Sequence, residues 1–125
     1  LLDTHALIWW LLDHPKLGKR ARNALIDLDN TVFVSAASGW EIGTKYRFGK
    51  LPEAEPFVLS LCESVEKQGF KELGVTLNHG QRAGLLAGEH RDPFDRILIA
   101  QAQAENLLLV SNEKLFDGFG VQRLW

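Results

Sequence analysis

LLDTHALIWWLL, residues 1–12, opens the chain and decides the fold. Two leucines running into the lone carboxylate of Asp3 have the make-up of the tail of a buried strand. The apolar run Ala6–Leu12 that follows has the make-up of a buried helix, and it is far shorter than the roughly 20 residues a membrane span needs. An apolar strand that ends on an acid and turns at once into a buried helix is the start of an α/β unit. An acid in that position has no obvious solvated role.

The same alternation continues outward from this stretch. Asp13, His14 and Pro15 form a turn, and Leu17–Leu28 reads as helix from its alanine, lysine and arginine content. TVFVS, residues 31–35, is a β-branched and aromatic strand. Ser38 and Glu41 have capping-box spacing and predict a helix over 39–47, stopped by Gly49. Phe57, Leu61 and Val65, at a spacing of four, predict a helix over 56–68. A weak strand at Phe70–Leu73, a short helix at 81–87 and a loop carrying His90 follow. Asp92 and Pro93 then supply an N-cap and a first-turn proline for a helix running to about Glu105. LLLVS, residues 107–111, reads as a buried strand and Val121–Trp125 as an edge strand. Strands separated by helices pair in parallel, so the expected architecture is a three-layer α/β/α sandwich with a central, mainly parallel sheet. With 125 residues, 46% of them hydrophobic, the chain is expected to form one domain over 1–125.

Charge narrows the function. Fourteen Lys+Arg against sixteen Asp+Glu leave a net charge of -2, so bulk charge does not mark a nucleic-acid binder, and a polyanion must be held by local basic residues or by metal. The single cysteine, Cys62, excludes an internal disulfide and is expected as a free core thiol in a reducing compartment. The chain contains no methionine and opens directly in apolar sequence, so native residues are expected ahead of Leu1.

In a parallel α/β sheet, ligands bind beyond the carboxyl ends of the strands. Asp3 and Glu113 follow strands, while Glu41 and Asp95 lie in early turns of helices that start at the same rim. Carboxylates gathered within a few ångströms repel one another unless a cation neutralises them. Hard oxygen donors without Cys or His at zinc spacing favour Mg²⁺ or Mn²⁺, expected on Asp3, Glu41 and Asp95. A pair of such ions clamps a scissile phosphate, which makes phosphodiester hydrolysis the expected chemistry. Each acid also has a plainer reading. Glu41 fits a capping box, Asp95 complements a helix dipole, Asp92 is a cap, and Glu113 fits the exposed start of a short helix.

Four segments together resemble the PIN-domain family, and within it the toxin-like nucleases of bacterial toxin–antitoxin pairs: LLDTHALIWWL (1–11), SAASGWEIGTKYRFGKL (35–51), HRDPFDRILIAQA (90–102) and LVSNEKLF (109–116). The resemblance spans almost the whole chain. Carried over by position, it places the family's acids on Asp3, Glu41 and Asp95, with Asp92 beside the last. Its Thr/Ser-x-Asp falls on Ser111, Asn112 and Glu113, a departure that puts a longer arm where aspartate is usual and alters ligand geometry. The resemblance further implies a homodimer, RNA cleavage in the cytoplasm, and inhibition by an antitoxin protein.

Lys45, Arg91 and Arg96 lie near the acids and are the expected phosphate-binding residues, although Lys45 also fits an i,i+4 pair with Glu41. Lys16, Lys19, Arg20 and Arg22 read as a solvated helix face. His5 is expected to point inward or to cap, and most of Trp9, Trp10, Trp40 and Trp125 to lie in the core. Two other readings compete. A haloacid-dehalogenase-like phosphatase would use Asp3 as nucleophile but wants a second aspartate two residues on, where His5 stands. A PIN-like binding module without activity would account for Glu113.

Overall fold

Two peptide hydrogen bonds place residues 1–3 at the centre of the sheet: Leu2 N–H donates to Phe33 O at 3.0 Å and Asp3 N–H to Val110 O at 3.0 Å. The computed structural model describes every residue from Leu1 to Trp125. β1 (Phe33–Ser35) runs parallel to β2 (Lys71–Leu73), and β3 (Leu109–Val110) parallel to β4 (Arg123–Leu124). Leu2 bridges Val34 on one side and Val110 on the other, again in parallel. The spatial order is therefore β2, β1, the Leu1–Asp3 segment, β3, β4, with β4 at an edge as expected.

Period-two alternation then builds both cores. Leu2, Val34 and Val110 point into one, with Ala6, Leu7 and Ile8 of α1 (Thr4–Leu11), Ala21 and Leu25 of α2 (Lys19–Ile26), Ile42 of α3 (Ala36–Arg47) and Val65 of α4 (Leu61–Lys67). Leu1 and Leu109 point into the other, where Leu98, Ile99 and Ala102 of α6 (Pro93–Ala104) meet Phe116. α5 (Leu77–Leu85) packs on α6. A parallel sheet covered on both faces is the three-layer α/β/α arrangement the sequence implies.

Several local expectations are corrected. α3 starts at Ala36 because Ser35, not Ser38, is its N-cap, accepting from Ala37 N–H at 3.0 Å. Ser38 is instead buried inside the helix, where its Oγ accepts from the Thr4 hydroxyl at 3.0 Å, so it forms no capping box with Glu41. The 56–68 segment is not one helix: a 3-10 turn, Val58–Ser60, precedes α4. α5 begins earlier than 81 because Thr76 and His79 form a reciprocal capping box, an imidazole standing where Glu or Gln is usual. Cys62 is exposed on α4 rather than in the core. No tryptophan is buried: Trp9, Trp10 and Trp125 are partly covered, and Trp40 is 64% exposed against Phe94. Gly49 does end α3, at φ +70°, a conformation that costs glycine little.

Candidate active site

The strand ends carry polar residues one position past their apolar ones. Asp3, Ser35 and Ser111 follow Leu2, Val34 and Val110 and are all buried, so they stand side by side at the carboxyl edge of the sheet. Three helices start there: Asp3 caps α1 and Ser35 caps α3, while Asp92 caps α6 by accepting from Phe94 and Asp95 N–H at 2.9 and 3.2 Å. Their N-termini are positive dipole ends, which favour negative charge. A cleft of about 570 Å³ opens above them, lined by twelve residues of which only Trp9 is apolar.

Asp3, Glu41, Asp92, Asp95 and Glu113 all line this cleft. Asp3 is 5% exposed and its Oδ1 accepts from Ala6 N–H at 2.6 Å. Burial raises its pKa, opposed by hydrogen bonds from the Ser111 hydroxyl and Ala6 N–H. The cap role was not read from the sequence, although a carboxylate three residues ahead of a helical amide is its usual signal. Ser111, itself fully buried, also accepts from Glu113 N–H at 2.9 Å and so links the first and last acids.

Glu41 is the least solvated acid of the group, 3% exposed. Its Oε2 accepts from Lys45 Nζ one turn on, while Oε1 is buried without a hydrogen-bond partner. A bare buried carboxylate oxygen is costly and asks for a cation or a donor. Burial works against the Lys45 charge, yet Glu41, Asp92 and Asp95 together hold the ammonium above its ordinary pKa.

Asp95 receives His90 Nε2 at 2.8 Å on Oδ2. Burial lifts its pKa to about 6, with the His90 hydrogen bond opposing and the Asp92 charge reinforcing the rise. The His90 ring sits edge-on to Phe116, centroids 6.0 Å apart, and tilted against Phe119 at 6.1 Å. Glu113 lines the cleft while capping the 3-10 turn Lys114–Phe119, accepting from Leu115 N–H at 3.0 Å.

The basic residues divide. Lys45 lines the cleft, and so does Lys16, which the sequence assigned to a solvated face. Arg91 is exposed outside the cleft lining. Arg96 is not brought to the cleft either. Its guanidinium donates to Ala83 O at 2.9 Å, His90 O at 2.9 Å and Leu86 O, fastening the α5–α6 loop that carries His90. His5, expected inward, is exposed and lines the cleft with Thr4 and Asn112. His90 and Lys16 carried no local signal in the sequence, since each reaches the cleft only through a turn.

Asp3, Glu41 and Asp95 offer hard oxygens, and the unpartnered Glu41 Oε1 is the atom a divalent cation would satisfy. In the present side-chain arrangement no three acidic or imidazole groups meet at one point, because Glu41 leans on Lys45 and Asp95 on His90. The donor set therefore fits Mg²⁺ or Mn²⁺ in chemistry and burial, with rotamer adjustment needed to close a coordination shell.

Comparison with known proteins bears on the family and the fold. The PIN domain family model matches residues 1–121. Ribonuclease VapC16 of Mycobacterium tuberculosis (strain ATCC 25618 / H37Rv) is 39% identical over 70 residues, which cover 53% of this chain and 50% of that protein. The match thus spans half the length of this curated relative. A chain from the crystal structure of VapBC2 from Rickettsia felis bound to a DNA fragment from their promoter superimposes with a TM-score of 0.67 at 20% identity, over 98% of this chain and 95% of that one. At that identity the likeness is one of fold.

Proposed function

The chain belongs to the PIN domain family, and from that premise we propose that it is a Mg²⁺- or Mn²⁺-dependent endoribonuclease, the toxin of a toxin–antitoxin pair. The carrying observation is the buried, half-unpartnered carboxylate of Glu41 in the same cleft as Asp3 and Asp95. Asp3, Glu41 and Asp95 would hold the ion, with Asp92 and Glu113 beside them and Ser111 steadying Asp3. A bound divalent ion supplies a Lewis acid for the scissile phosphate and a water of lowered pKa.

The chain's own groups do the rest. Lys45 and Lys16 bring positive charge to a cleft that five carboxylates would otherwise close to a polyanion. Lys45 is paired to Glu41 at the acidic floor of the cleft, which sets its ammonium where a phosphate oxygen would meet it. His90 fixes one oxygen of Asp95 and Ser111 steadies Asp3, which holds both acids in place before substrate arrives. Arg96 acts on the site only by anchoring the backbone of His90.

A relative named as a ribonuclease supports RNA as the substrate, and the reading takes an antitoxin protein as the inhibitor. The reading also takes residues 1–125 as one domain, working as a homodimer in the cytoplasm. No helix is long and apolar enough to cross a membrane.

Incubation of purified protein with structured RNA and Mg²⁺ or Mn²⁺ tests the reading, with chelator and Asp3→Asn as controls. Cleavage lost in both controls is the expected result. Cleavage surviving both would trace to a contaminant. RNA bound but never cut would favour the inactive binding module, for which the occupation of Glu113 as a turn cap speaks.

A further inference from the structure

One wall of the cleft is aromatic, and the phosphodiester chemistry above makes no use of it. His5 and Trp9 sit one turn apart on α1, immediately after Asp3, and both line the cleft. Their rings are tilted against each other with centroids 5.7 Å apart. The ladder continues inward: Trp9 stacks on His14 at 6.2 Å and 28°, and the edge of Trp125 meets it at 5.6 Å. Lys16 Nζ stands 6.0 Å from the Trp9 ring centre and also lines the cleft.

This wall is built rigidly. His14 Nδ1 accepts from Lys16 N–H at 3.1 Å, which fixes both the ring and the turn that carries it. Arg22 ties the same turn down, donating to Asp13 Oδ1 at 2.7 Å and to His14 O at 3.3 Å. Behind Trp125, Gly18 lies so close that a Cβ there would stand 3.2 Å from the indole Nε1. A half-covered indole and an exposed imidazole, braced from behind and topped by an ammonium, are the parts of a stacking platform for a flat ring joined to a phosphate.

We propose that His5 and Trp9, with Lys16 at their rim, form a nucleobase-stacking subsite for the nucleotide flanking the scissile phosphate. This rests on the nuclease reading and adds to it the two side chains that hold one base. In a duplex the bases are already stacked on one another, so only an unpaired base has a face free for His5 and Trp9. The subsite begins two residues after Asp3, which puts the stacked base next to the phosphate at the acids. Stacking is tolerant of base identity, so the subsite holds a base without reading which base it is.

The test is a binding cycle in Ca²⁺, with RNA integrity checked on a gel. A labelled ten-nucleotide oligoadenylate and an abasic oligoribonucleotide of the same length are titrated with wild type, His5→Ala and Trp9→Leu by fluorescence anisotropy. Wild type should prefer oligoadenylate by roughly tenfold or more, the range of one base stacked on an aromatic side chain. That preference should collapse in both variants while affinity for the abasic strand holds. His5 is exposed, so His5→Ala keeps the fold, and thermal melting verifies this for both variants. Lys16→Gln should weaken both strands equally and lower the salt slope by about one. A base preference that survives in His5→Ala and Trp9→Leu, or is missing from wild type, would overturn the subsite and leave the nuclease reading standing. Wild type that binds neither strand and cuts no RNA would overturn both.

Discussion

Replacing Asp95 by Asn should make the metal-free protein more stable at neutral pH. Burial lifts the Asp95 pKa from 3.8 to about 6, so the folded state holds that proton more tightly than the unfolded chain does. The sign follows: wild-type stability falls as pH rises from about 4 to about 6, and the loss is complete above both pKa values. Asn has no proton to lose and escapes the penalty. A shift of about two units corresponds to about 3 kcal/mol at most. The Asp95 side chain is still 24% exposed, so screening cuts this to roughly 1 to 2 kcal/mol. Against the gain stands the interaction of a first-turn carboxylate with the α6 dipole, worth about 0.5 kcal/mol. Asn keeps an oxygen for His90, so that hydrogen bond persists. The net gain is about 1 kcal/mol, or about 4 °C in melting temperature for a chain of this size. Thermal melts in chelator from pH 4 to pH 7.5 should show the two proteins coinciding at the acid end and separating above pH 5. An Asn variant that melts lower than wild type at pH 7 would refute the reasoning and make Asp95 a helix-capping carboxylate first.

Three further outcomes follow from the same geometry. Lys45→Met leaves the Glu41 carboxylate buried with neither oxygen paired and should cost about 1 to 3 kcal/mol in urea denaturation, with most of the loss recovered by adding Glu41→Gln. Arg96→Met frees one carbonyl in the last turn of α5 and two in the α5–α6 loop and should cost about 2 to 4 kcal/mol, with faster amide hydrogen exchange across residues 86–92; unchanged exchange there would reject the clamp. Mn²⁺ at about a hundredfold its Kd should stabilise wild type by about 2.7 kcal/mol, and Asp3→Asn should abolish that gain; equal stabilisation of both proteins would remove Asp3 from the ligand set.

How far residues reveal themselves in sequence depends on how local their partners are. Asp92 and Pro93 announce the start of α6 because cap and first-turn proline act within three residues. Asp3 and Ser111 are legible as strand-end polar residues because the sheet rule needs only the strands. Ser35 and Ser38 show the limit, since both precede an acid or an amide at plausible spacing. Only the Thr4 hydroxyl, 34 residues away in sequence, decides that Ser38 is a buried cross-helix contact and not a cap. Arg96 looked like a phosphate ligand from its neighbours in DPFDR, yet its guanidinium is consumed by carbonyls up to 13 residues back. His90 and Lys16 enter the cleft by way of turns whose course no periodicity encodes. The tryptophans misled in part because aromatic bulk normally signals a core, while here Trp9, Trp10 and Trp125 pack only half-buried against the first core and Trp40 lies on the surface.

The placement of the acids explains why the fold survives them. Of the five carboxylates around the cleft, Asp3 and Asp95 are pushed toward protonation, by burial first and by neighbouring carboxylates in addition. Three of the five, Asp3, Asp92 and Glu113, also work as local caps, accepting backbone N–H groups at the starts of α1, α6 and the 3-10 turn. Those bonds are made whether or not a cation is present. Glu41 and Asp95 have no such backbone donor, and each leans on one side chain, Lys45 or His90. Asp92 and Glu113 thus serve the scaffold, Glu41 and Asp95 are the acids a cation can recruit, and Asp3 does both, capping α1 through Oδ1. Neutralising Asp92 should therefore loosen α6 with or without metal, whereas the effect of neutralising Asp95 should reverse sign when metal is added. That reversal distinguishes a site built for a cation from one that merely tolerates crowded charge.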